Sequence, residues 1–163
     1  MSRTQSLYVL DSSGHPVPAG ADQIIAAARR HLSSRVRRGT PLSSPQATRD
    51  YLALKLGDRP CESFCCLFLD SRNRVIEFVE LFRGTIDGAT VHPREVVREA
   101  LERNAAALIV CLPHPSGISE PSHADELITR RLREALQLVD IRLLDHFIVA
   151  GGECTSLAER GLL

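Results

Sequence analysis

The chain has 163 residues, 44% of them hydrophobic and 25% charged, with Lys+Arg and Asp+Glu both at 20. That is enough for one globular domain with a real core, and a balanced charge makes no general case for nucleic acid or a membrane surface as partner. No apolar run reaches the ~18 residues of a membrane span, and "MSRTQSLYVLDSSGHPVPAG" lacks the apolar stretch of a signal peptide.

Those first twenty residues read as a weakly ordered or strand-like arm. "ADQIIAAARRHLSSRVRR" then places Ile24, Ile25, Ala28, Leu32 and Val36 at helical spacing, and "GTPLS" breaks the helix. The next helix opens at "SSPQATRDYLALKLG", with Ser44 as N-cap, Pro45 in its first turn and Gly57 as its stop. Ala47, Tyr51 and Leu54 fall on one face of it.

From Glu62 the pattern changes. "SFCCLFLD" is a buried-strand run, "SRN" a tight turn and "RVIEFVELFRG" a second strand, which predicts a hairpin. "GTIDGATVH" is a loop or short strand, and "HPREVVREALERN" a helix with Pro93 near its start and Asn104 near its end. "AAALIV" is a continuous apolar strand, expected at the centre of a sheet and covered on both faces. A Pro- and Gly-broken loop from Pro113 to Pro121 leads into the helix "SHADELITRRLREALQLVD". "IRLLDHFIVAGG" is the last strong strand, and "CTSLAERGLL" closes the sequence. Helices alternating with apolar strands predict an α/β or α+β domain.

Five cysteines (Cys61, Cys65, Cys66, Cys111 and Cys154) form an odd set without a CxxC pair. Three of them sit in apolar runs as small hydrophobes, so the expectation is a cytoplasmic protein with reduced thiols. The segment "RRHLSSRVRR" carries Arg29, Arg30, Arg35, Arg37 and Arg38 without an acid. Such a patch is most often a solvated helix face; the functional alternative is weak DNA contact through phosphates.

Chemistry concentrates in "CLPHPSGISEPSHAD", Cys111 to Asp125. Taken singly, its residues have bland explanations. His114 at a strand end is more often a structural hydrogen-bonder than a ligand. Ser122 and Asp125 spell S-x-x-D, a capping box at a helix start. Glu62 can be a charge flanking a strand.

Together with "CESFCCLFLDSRNRVI", "ELFRGTIDGATVHPREVVREAL", "NAAALIV", "HPSGISEPSHAD" and "IRLLDHFIVAGG", these residues resemble the RadC family, a branch of the JAMM (MPN-type) metalloprotease-like domains. The resemblance runs from about Ser44 to Leu163. It implies a JAB/MPN-like fold over 44–163, with a curved mixed sheet flanked by helices, and an N-terminal arm and helix over 1–43. It also implies a zinc site of pattern E…HxH…SxxD, in which Glu62 is the general base, His114 the second histidine ligand, Ser122 an oxyanion stabiliser and Asp125 the acidic ligand. Three protein ligands and an open position for water make a catalytic rather than a structural zinc. The metal brings the water's pKa to roughly 7 and a carboxylate takes its proton.

One position departs from that pattern. Where the family reads "HNHPSG" this chain reads "LPHPSG", so the first histidine is Leu112, which has no lone pair. Cys111 is one residue off and points to the opposite face of a strand. His123 reaches the site only with a changed loop, and His92 and His146 read as structural. The expectation is therefore a zinc metallopeptidase-type hydrolase scaffold, in a family that carries a DNA-repair label, with its metal site degraded. The alternatives are a zinc-dependent peptidase or isopeptidase that remains active, a non-catalytic module binding protein or DNA, and an interaction module that forms a homodimer through its helices.

Overall fold

The computed structural model describes residues 7–35, 37–42, 45–57, 61–84 and 90–163. At the N-terminus β1 (Tyr8–Leu10) and β2 (Pro16–Pro18) pair as an antiparallel hairpin, with Val9 opposite Val17. The Asp11 carboxylate accepts from the Ser13 and His15 amides inside that turn, so the arm is strand-like. Helix α1 (Ala21–Arg35) packs against α2 (Pro45–Leu56). Of the stripe predicted on α1, Ile24 and Ile25 remain 36% and 40% exposed and Ala28 is half-buried, while the side chain of Leu32 lies outside what is described. Of the basic patch, Arg30, Arg37 and Arg38 are exposed, while the side chain of Arg35 lies outside what is described. Ser44 and Val36 also lie outside the described residues.

Helix α2 buries Thr48, Tyr51, Leu52 and Leu56. Of the expected Ala47–Tyr51–Leu54 line Tyr51 is buried, Leu54 is only half-buried and the side chain of Ala47 lies outside what is described, so the inward stripe shifts toward Leu52 and Leu56. The cause is the surface it meets: Leu52 and Leu56 turn toward Phe147 and Val149 of the sheet. Gly57 ends the helix as expected, where an added Cβ would sit 2.5 Å from the Ala53 carbonyl oxygen and 3.4 Å from the Gly152 amide.

The main sheet contains β3 (Ser63–Leu69), β4 (Val75–Arg83), β5 (Ala107–Pro113), β6 (Arg142–Ala150) and β7 (Glu153–Ser156) in the order β4-β3-β5-β6-β7. Only β5 and β6 run parallel; the other three pairings are antiparallel, so the sheet is mixed. β3 and β4 form the predicted hairpin around Asn73, which adopts φ 55°. β5 is central and buried along its whole length, as its unbroken apolar run requires. β7 is a strand the sequence reading did not assign: Gly151 and Gly152, both at positive φ, turn the chain back so that Cys154 pairs with Val149.

Helices cover both faces. Helix α3 (Pro93–Glu102) and helix α4 (His123–Gln137) pack on one side, where Val96, Ala100, Leu132 and Leu136 meet Phe64, Phe68, Leu108 and Ile148. Helix α2 covers the other, against Cys65, Leu67, Ile109 and Phe147. Asn104 stops α3 at φ 51°, with the Ala105 amide donating to Ala100 and the Asn104 amide to Leu101, a left-handed cap that aims the chain straight into β5. The architecture is the α/β type expected, a mixed sheet between helices. No helix among the described residues is long and apolar enough to cross a membrane.

Candidate functional site

A cleft of about 680 Å³ opens where β5 ends and α4 begins. Glu62, Leu112, His114, Ser122 and Asp125 all line it, so the fold brings together the four residues named from the sequence and the leucine that breaks their pattern. Glu62 precedes β3, which lies beside β5; His114 follows β5; Ser122 and Asp125 open α4. Phe64, Val91 and Ile128 give the cleft an apolar wall.

His114 is held on two sides. Its amide donates to Val149 O at 2.8 Å, extending the β5–β6 ladder past the strand. Gly117, at φ 78°, folds the loop back so that Ile118 O lies 3.1 Å from His114 Nδ1. A carbonyl only accepts, so Nδ1 carries a proton and Nε2 is the atom turned to Asp125, 3.5 Å from Oδ2. A carboxylate at that distance holds the His114 pKa above its ordinary value, against the opposing effect of burial. For Asp125, burial pushes the pKa up, but bonds from His114 and Ser122 outweigh it and leave the carboxyl below the usual range.

Ser122 and Asp125 make the predicted capping box in full. The Asp125 amide donates to Ser122 Oγ at 3.2 Å, and Asp125 Oδ2 accepts from the Ser122 amide at 2.7 Å and from its hydroxyl at 2.6 Å. The single hydroxyl proton of Ser122 is therefore engaged with Asp125 rather than directed into the cleft.

Leu112, two residues before His114 and lining the same cleft, is 7% exposed and belongs to the core under α3 and α4. Cys111 is packed in the opposite core against α2, as alternation along a strand requires. His123 starts α4 with an exposed side chain. His92 caps α3 without a side-chain bond, its ring edge-on to Phe82. A zinc ion of the kind the RadC resemblance implies needs three or four protein donors at bonding distance. Here His114 and Asp125 supply two, position 112 supplies none, and among the described residues no group of three or more His, Cys, Asp or Glu is gathered closely enough to hold a metal. The residues present do not fit that ion.

Beneath the cleft His146 is structural, as the sequence reading had it, but its partner Thr129 was not assigned there. Thr129, one turn after Asp125, donates its hydroxyl to Asp125 O at 2.5 Å, and His146 Nδ1 lies 2.6 Å from the Thr129 hydroxyl oxygen. His146 is fully buried, which lowers its pKa to about 4. The one available signal was the i, i+4 spacing of Asp125 and Thr129 on a helix.

Comparison with known proteins gives the same frame. The family model described as the RadC-like JAB domain matches residues 42–162. A UPF0758 protein of Thioalkalivibrio sulfidiphilus is 64% identical over 140 residues, covering 86% of this chain and 62% of the relative. A UPF0758 protein of Halorhodospira halophila is 66% identical over 136 residues, covering 83% of this chain and 61% of its own. One of Marinobacter nauticus is 61% identical over 162 residues, covering 99% of this chain and 72% of the relative. The chain thus spans about three fifths of the length of the first two relatives, at 62% and 61%. With three quarters of its length under one family model and such high identity to these proteins, it belongs to the RadC-like JAB domain family.

Proposed function

We propose that this chain is a RadC-like JAB domain that keeps a hydrolase-type cleft without a working metal centre, and that the cleft holds a segment of another polypeptide rather than cutting it. The observation that carries this reading is Leu112, packed into the core at the position from which a third donor beside His114 and Asp125 would have to come. A hydrocarbon there contributes no lone pair, and losing even an outer-shell partner typically weakens a metal site by roughly 10- to 100-fold. The walls suit an extended peptide: Phe64, Val91, Leu112 and Ile128 offer apolar contact, and Glu62 and His114 offer polar atoms for backbone amides.

The test is zinc content. Protein purified without chelator and incubated with equimolar zinc should retain far less than one ion per chain. It should also fail to hydrolyse peptide and isopeptide substrates while still binding an uncleaved peptide in the cleft. Stoichiometric zinc together with hydrolysis by the unaltered chain supports the alternative, an active zinc-dependent peptidase or isopeptidase.

A further inference from the structure

Phe64 and His146 lie on strands that flank β5 on opposite sides, two strand spacings or roughly 9–10 Å apart in the sheet. Their ring centroids are nevertheless only 6.2 Å apart, edge to face. Both rings therefore lean inward over β5. Cys65 pairs with Cys111, which sets Phe64 beside Leu112, while His146 pairs with Val110 and Ile148 with Leu112. The two rings converge over the step from Val110 to Leu112, on the face toward which Leu112 packs.

The hydrogen bonds decide which nitrogen of His146 is bare. Thr129 Oγ1 has one proton, and Asp125 O, which can only accept, takes it at 2.5 Å. His146 Nδ1, 2.6 Å from that hydroxyl oxygen, must then donate. Nε2 is left as an acceptor, and it is buried without a hydrogen-bond partner. Buried acceptors in that state are uncommon and call for a cause. On β5 the ring stands opposite Val110 and diagonal to position 112, where leucine has nothing to donate.

We propose that His146 is a positioning residue for the side chain at 112: its Nε2 is placed to accept a hydrogen bond from an imidazole N–H there, and Leu112 leaves it unpaired. This rests on the reading of the cleft as a metal site missing one donor. A histidine at 112 arrives with one nitrogen tied to His146 and the other turned toward His114 and Asp125. His114 already shows this arrangement, with Nδ1 on Ile118 O and Nε2 toward the cleft. Ligand imidazoles are ordinarily fixed through their second nitrogen in this way. The chain is thus one substitution from a complete donor set, and the support for that donor is already built.

The experiment compares the unaltered chain with Leu112→His alone and with Leu112→His combined with His146→Gln or His146→Asn. Zinc affinity is measured by competition with a chelator, and metal-free stability by urea unfolding. Leu112→His should take up one zinc per chain. Adding His146→Asn, whose amide keeps the bond to Thr129 but has no acceptor at the Nε2 position, should weaken zinc by roughly 10- to 100-fold. His146→Gln, whose Oε1 can stand in for Nε2, should restore most of that loss. In metal-free unfolding, His146→Asn should destabilise the Leu112→His protein more than it destabilises the unaltered chain.

Equal zinc affinity with Asn and Gln at 146, together with additive unfolding effects, overturns the proposal. So does a folded Leu112→His protein that gains no zinc. Stoichiometric zinc on the unaltered chain sinks the reading of the cleft instead, and the unfolding comparison between positions 112 and 146 then decides this proposal alone.

Discussion

His114 Nε2 stands 3.5 Å from Asp125 Oδ2, with side chains 12% and 6% exposed, so a proton on that nitrogen is shared with a nearly dry carboxylate. The pair makes stability depend on pH at both ends. His114 has its pKa raised above 6.5, so the native state binds more protons than the unfolded state just above that pH. Its contribution is complete below 6.5 and is lost as pH rises through the folded value. Asp125 is lowered from 3.8, so its contribution holds above that pH and is lost as pH falls through the folded value. Replacing His114 with Gln should flatten the decline of the urea midpoint on the alkaline side of 6.5; an unchanged slope would mean the pair is not coupled.

His146 imposes the opposite slope. Burial lowers its pKa from 6.5 to about 4, so across that interval the unfolded chain binds more protons and stability rises with pH. The full effect is on the order of 3 kcal/mol at one pKa unit per ~1.4 kcal/mol. It is complete above 6.5 and absent near 4. In a His146→Gln protein the rise in unfolding free energy between those two pH values should disappear, which denaturant melts at half-unit intervals will reveal.

The capping box at Ser122 gives a stability test that is free of any metal. Ser122→Ala removes the acceptor for the Asp125 amide and one donor to its carboxylate. Loss of such a cap costs about 1 kcal/mol, within a range of roughly 0.5–2. For a chain of this size the melting temperature should fall by about 2–4 °C per kcal/mol, as read by calorimetry.

Leu112 should be worth more to the core than to any cleft chemistry. It sits with Phe64, Val110 and Ile148 under the helices. Leu112→Ala should cost about 2–5 kcal/mol, whereas Leu112→Met, close in volume, should cost less than about 1.5. Urea unfolding of the two variants side by side checks the ordering.

The exposed arginines in and just after α1 carry the reading of DNA contact. If Arg30, Arg37 and Arg38 hold phosphates, replacing all three with Ala should lower duplex affinity and reduce the slope of log K against log salt by about 2.7, near 0.9 per contact. An unchanged slope identifies them as a solvated surface.

Elements announced by their own residues were legible. The apolar run before Pro113 could only be satisfied at the centre of a sheet, S-x-x-D could cap a helix whatever lay around it, and Asn104 could accept the positive φ that ends α3. What depended on a neighbour was not. The inward face of α2 is chosen by Phe147 and Val149, nearly a hundred residues later. β7 exists because Gly151 and Gly152 reverse the chain beside β6; its four residues show no pattern of their own. The site divides the same way: the loop from His114 to Asp125 shows itself locally, while Glu62 joins it through strand pairing and His146 through Thr129.

The lone parallel pairing, β5 with β6, ties assembly of the cleft to closure of the sheet. Parallel neighbours cannot meet through a tight turn, so the chain must travel back along α4 first. The segment making that journey carries His114, Ser122 and Asp125. Closing the sheet and gathering the cleft residues therefore depend on the same crossover, and lesions between Pro113 and Ser122 should retard refolding even where they leave the finished sheet intact.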